Sequence, residues 1–124
     1  MELVEIAGEL WISRLDAGAR TADQPDSEFF SVTRTANEVS VVGSAPVDGA
    51  RVEGPWRAFR VAGVLDFSLT GVLHELTRPL ADDAISVFTL STFDTDYFLV
   101  RTDRAAAAVK AWTAAGYRVV DAPA

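Results

Sequence analysis

Two hydrophobic periods alternate along the chain. Trp56 to Gly63 (WRAFRVAG) interleaves apolar and polar side chains and is bounded by Gly54-Pro55, the pattern of a half-buried strand. Leu69, Val72, Leu73, Leu76 and Leu80 then recur at helical spacing and predict an amphipathic helix from about Leu69. Pro79 should kink or fray its last turn, and Asp82-Asp83 should end it. Ile85–Ser91 and Thr95–Arg101 are rich in β-branched and aromatic residues and read as a hairpin. Asp103 suits an N-cap, an alanine run with Val109 and Trp112 makes a second helix, and Gly116 sits where a C-terminal cap belongs. Tyr117–Asp121 closes as a short strand. The order β-α-β-β-α-β is the split unit of ferredoxin-like α+β folds.

The N-terminal half repeats the strands without the helices. Glu2–Ala7, Leu10–Leu15, Phe29–Thr35 and Glu38–Gly43 read as strands, the last two as a hairpin across Ala36-Asn37. Ala17–Asp26 holds too much Gly, Pro and Asp for more than one helical turn. FSVTRTANEVSVV (30–42) echoes VFTLSTFDTDYFLV (87–100), each a strand, a hydroxyl-rich bend and a strand. That echo suggests two tandem units, a degenerate one over 1–55 and a complete one over 56–124. Gly43–Pro55 reads as the linker between them.

Composition narrows the partners. With 124 residues, 49% hydrophobic and 23% charged, the chain can bury a core as one compact domain or two small ones. No apolar run approaches the roughly 20 residues needed to span a bilayer. Acids in MELVEIAGELW stand where a signal peptide carries bases, so a cytoplasmic location is expected. The absence of cysteine removes disulfides, thiolate chemistry and cysteine-based zinc sites. Ten acids against four arginines give residues 1–55 a charge of −6, and eight acids against seven bases give residues 56–124 a charge of −1, which sum to the chain's −7. Such a surface repels nucleic acid and anionic membranes.

The candidate chemistry lies in LSTFDTDYFLV (90–100), where acids and hydroxyls interrupt two apolar strands. In the β-α-β-β-α-β order this bend shares a sheet edge with the LDFSLTG turn (65–71) and with Gly116-Tyr117. Ser68–Gly71 open the first helix, where unpaired amides and the helix dipole favour an anion. Asp66, Asp94 and Asp96 can pair with an ammonium or guanidinium. The two together suit an amino acid, which carries both charges. Plainer readings exist for the same residues. Asp94-Thr95-Asp96 is a D-x-D, a metal-binding pattern in nucleotide-sugar enzymes, yet Asp and Thr are also ordinary turn residues. Asp66 can serve only as a helix cap. His74 lies about 140° from the helix's apolar centre, which places it in solvent. No G-x-S-x-G elbow or G-x-x-x-x-G-K loop is present. No catalytic residue, metal site or cofactor is expected.

LDFSLTGVL (65–73) followed by ISVFTLSTFDTDYFLV (85–100) resembles the ACT domain, and more narrowly the small bacterial tandem-ACT proteins related to the arginine-sensing CASTOR proteins of animals. FFSVTRT (29–35) extends the resemblance into the N-terminal half. The resemblance implies two ACT-like units, small-ligand binding and no catalysis. It also implies that Asp66, Phe67, Ser68, Leu69, Thr70, Gly71, Ser91, Thr92, Phe93, Asp94, Thr95 and Asp96 fall on the segments that line amino-acid sites in ACT regulators. The expected function is therefore a non-enzymatic sensor or regulatory subunit for a small molecule, expected to be an amino acid, with a regulated protein as partner. The alternative is a structural interaction module with a vestigial pocket. Finally, strands 85–90 and 97–100 carry apolar residues on both faces, so one sheet face needs a cover; a homodimer is expected.

Overall fold

The computed structural model describes residues 1–64 and 70–122. Strands β1 (Glu2–Glu5), β2 (Leu10–Asp16), β3 (Ser31–Arg34), β4 (Glu38–Gly43) and β5 (Arg51–Val61) precede helix α1 (Val72–Asp82). Strands β6 (Phe88–Ser91) and β7 (Asp96–Arg101), helix α2 (Ala105–Ala114) and strand β8 (Arg118–Asp121) follow. The fold is α+β and ferredoxin-like. The chain forms two compact units, one of Met1–Ala7 with Arg57–Ala124 and the other of Gly8–Trp56.

In the first unit the strands run β6-β7-β5-β1-β8. The hairpin β6–β7 is antiparallel, β1 runs antiparallel to β5, and β1 runs parallel to β8. The β-α-β-β-α-β succession read from the sequence is present as β5-α1-β6-β7-α2-β8. The N-terminal strand Glu2–Glu5 is an addition to it, inserted between β5 and β8. Alternate strand residues Leu3, Phe59, Val61, Phe98 and Val100 meet Leu76 and Leu80 of α1 and Ala108, Ala111 and Trp112 of α2, so both helices cover one sheet face. Trp112 is the centre of this core. Its indole N–H donates to the Leu76 carbonyl at 2.8 Å, and its ring meets Phe59 and Phe98 edge-on at centroid distances of 4.9 and 6.2 Å. Each large apolar side chain so buried is worth about 1.5–3 kcal/mol. On the opposite face Leu99 is buried and Phe88, Leu90 and Tyr97 are half-buried.

The second unit contains no helix. Its strands run β3-β4-β2-β5, all antiparallel. This is the order of the first unit with β1 left out. Loops 17–30 and 44–50 stand where the helices would be, and side chains tie them down. Gln24 donates to the Ala45 carbonyl at 2.9 Å and accepts from the Ala45 N–H at 3.1 Å. Ser13, buried in β2, accepts from the Val47 N–H at 3.0 Å. Val39, Val41, Val42, Leu10, Phe29 and Trp56 form the buried apolar set.

Several boundaries differ from expectation. The segment read as linker contributes its last residues to β5, because Val52, Glu53 and Arg51 pair with Ser13, Ile12 and Arg14. Gly54 permits this: its φ of +150° lies outside the range of other residues, and a Cβ there would stand 2.8 Å from the Trp11 ring. Asp103 does not cap α2 through its side chain; it sits in a 3-10 turn, Thr102–Arg104, that leads into the helix. Helix α1 starts at Val72 and keeps Pro79 inside it, and β6 starts at Phe88 rather than Ile85. Gly116 does end α2, with φ of +96° and the Tyr117 N–H returning to the Trp112 carbonyl.

Candidate functional site

The turn between β6 and β7 is built from its own hydroxyls. The Thr92 N–H donates to the Thr95 carbonyl at 2.9 Å, and the Thr95 N–H donates back to the Thr92 hydroxyl at 3.4 Å. The Ser91 hydroxyl donates to the Asp96 carboxylate at 2.6 Å across the base of the turn. Thr95 is buried, and its hydroxyl donates to the carbonyl of Val61 at 3.0 Å. That bond pins the turn to the end of β5. What remains outward is Phe93, 79% exposed, and the carboxylate of Asp94, which has no hydrogen-bond partner among the described residues.

The second element of the predicted site is the start of α1. Gly71 stands at the N-cap with φ of 78°, and no side chain caps the helix. Its carbonyl accepts the Glu75 N–H at 2.9 Å, while the amides of Val72, Leu73 and His74 lack helical partners, as first-turn amides do. The space beside the Gly71 Cα is open. Thr70 is exposed next to it. Asp66, Phe67, Ser68 and Leu69 lie outside the described residues. The structure thus brings Ser91, Thr92, Phe93, Asp94, Thr95 and Asp96 into one turn at the end of β5.

The Val61 carbonyl was not legible as a participant, because a backbone acceptor leaves no mark in residue type. Thr95, conversely, is committed to structure. Among the described residues no three His, Asp or Glu side chains gather where a metal ion could sit, and His74 is exposed on α1. No described helix is long and apolar enough to cross a membrane.

The same arrangement occurs in the second unit. The Thr35 N–H donates to the Glu38 carbonyl at 3.0 Å, and the Glu38 N–H donates to the Thr35 hydroxyl at 3.1 Å. Thr35 therefore closes the β3–β4 turn as Thr92 closes the β6–β7 turn.

Comparison with known proteins gives this architecture a family. The ACT domain matches residues 51–113, just over half of the 124 residues. No curated protein matches the chain. Among solved structures, a protein of Agrobacterium tumefaciens is similar at 28% identity and a TM-score of 0.86, over 99% of this chain and 94% of that one. A Vibrio cholerae protein of unknown function, described as a possible transport protein, superposes with a TM-score of 0.72 at 15% identity, over 92% and 88% of the two chains. The ligand-free regulatory subunit of aspartate kinase from Thermus thermophilus does so at 0.63 and 11% identity, over 94% and 98%. The last two likenesses concern the fold alone. The strand order, the helix pair on one face and the matched segment together place the chain in the ACT-domain family.

Proposed function

We propose that this protein is a non-enzymatic regulatory subunit or sensor that binds a small molecule, an amino acid in the first instance, at the end of β5. The observation that carries the reading is the bond from Thr95 to Val61. It holds a turn bearing the free Asp94 carboxylate at the end of the strand that leads towards α1, whose first amides are uncapped. A carboxylate for the ligand's ammonium and amides for its carboxylate are the two halves of an amino-acid site. Asp66 to Thr70 complete the site in this reading. The matching threonine turns at Thr35 and Thr92, together with the shared strand order, support two ACT-like units in tandem, the helix-free one of Gly8–Trp56 being degenerate. We take the functional form to be a cytoplasmic homodimer that acts on a regulated protein.

The test is a thermal-shift series with the twenty amino acids. A ligand that binds only the folded chain stabilises it by about 2.7 kcal/mol at a hundredfold excess over Kd, a readily measured rise in Tm. Asp94→Ala should abolish that rise while leaving the unliganded Tm unchanged, since the side chain makes no bond within the turn. A second reading rests on a different observation: the hydroxyls of Ser91 and Thr92 and the Asp96 carboxylate are spent inside the hairpin, and the Thr95 hydroxyl on the Val61 carbonyl. A flat response to every amino acid would favour that reading, an interaction module with a vestigial pocket.

A further inference from the structure

On the face of the helix pair that points away from the sheet, a trough of about 630 Å³ runs between α1 and α2. Ala111, Ala114 and Ala115 of α2 line one side with Pro79 of α1, and Tyr117 closes one end. Charged residues of α1 and its C-terminal end line the other side: Glu75, Arg78, Asp82 and Asp83. From His74 to Asp83 the trough follows α1 for about 14 Å at 1.5 Å per residue. None of these residues belongs to the turn at the end of β5.

The trough is rich in acceptors. Three carboxylates line the trough with one guanidinium, Arg78, which already leans on Asp82 at 4.0 Å. Arg104, outside the lining, donates to the Asp83 carbonyl at 3.4 Å. Glu75 and Asp83 have no ion-pair partner among the described residues. A backbone acceptor adds to them. Pro79 has no N–H to give the Glu75 carbonyl, so the bond that would close this turn of α1 is missing on the face that lines the trough. Neither helix carries a basic residue in its last turn to offset the negative end of its dipole. An occupant must therefore supply donors and positive charge. A second copy of this chain would bring the same carboxylates and a net charge of −7, which disfavours it at this trough. The alanine floor lets a backbone approach closely, and the elongated outline suits a chain segment lying along the helices.

We propose that this trough docks a basic segment of a partner protein, with arginine or lysine side chains reaching Glu75, Asp82 and Asp83 over the alanine floor. It supplies the contact with a regulated protein that the sensor reading requires, but it stands on separate residues and is tested separately.

The probe is a fluorescent peptide of about twelve residues with the repeat Ala-Ala-Arg-Ala, long enough as a helix to cover the trough. Its anisotropy is followed with the full chain at low and high salt. Binding should weaken with salt. It should fall about tenfold or more in Asp82→Lys/Asp83→Lys and in Ala114→Trp, which fills the floor without touching charge. Asp26→Lys/Glu28→Lys, an equal charge change in the second unit, should leave it unaltered. No binding, equal loss in the control, or full binding by both trough variants would overturn the proposal. Retained amino-acid thermal shifts in the trough variants would leave the sensor reading intact whichever way the peptide behaves.

Discussion

Among single side chains, Thr95 and Trp112 carry more of the structure than their neighbours. Thr95→Val keeps the shape and deletes only the hydroxyl that reaches Val61, leaving a buried carbonyl without its partner. The expected cost is about 1–3 kcal/mol in urea unfolding, against no change for Asp94→Ala. Trp112→Phe should cost a similar amount, since Leu76 loses its donor, and Trp112→Ala about 3–5 kcal/mol through the cavity left among Phe59, Phe98 and Leu76. Residue type announced the acids and hydroxyls of 91–96 as candidates. It could not announce which of them face inward, because Thr95 and Thr92 differ only in the direction their strand and turn impose.

Between elements, the periodic segments were legible and the aperiodic ones less so. Helices α1 and α2 and the two hairpins follow from spacing, but β5 begins within a stretch that looks like a loop, because Gly54-Pro55 breaks the alternation that its pairing with β2 restores. Gly54→Ala should therefore cost about 1–3 kcal/mol through strain, with Trp11 forced to move. Pro79 acts in the opposite sense. As it removes a helical bond from α1, Pro79→Ala should stabilise the chain by about 1–3 kcal/mol in the same measurement. An unchanged midpoint would mean that the surrounding helix already compensates.

At the scale of the whole molecule, the apolar face of Phe88, Leu90, Tyr97 and Leu99 bears on assembly. Sedimentation at micromolar concentration should show a species near twice 13.3 kDa. A monomer at all concentrations would remove the dimer from the proposed function. Strand β1 has a consequence of another kind. Leu3 is fully buried beside Val61 and Val119, so residues from near both ends of the chain enclose the same core. During synthesis the place of β1 between β5 and β8 cannot be completed until β8 itself has been made. Contacts spanning that much sequence slow folding, and the first seven residues must wait, exposed, while the inserted second unit forms. Residues 57–124 expressed alone should remain a loosely packed chain, and a peptide of residues 1–7 added in trans should restore its near-ultraviolet circular dichroism. Order in the isolated fragment would show that β1 joins a sheet already made.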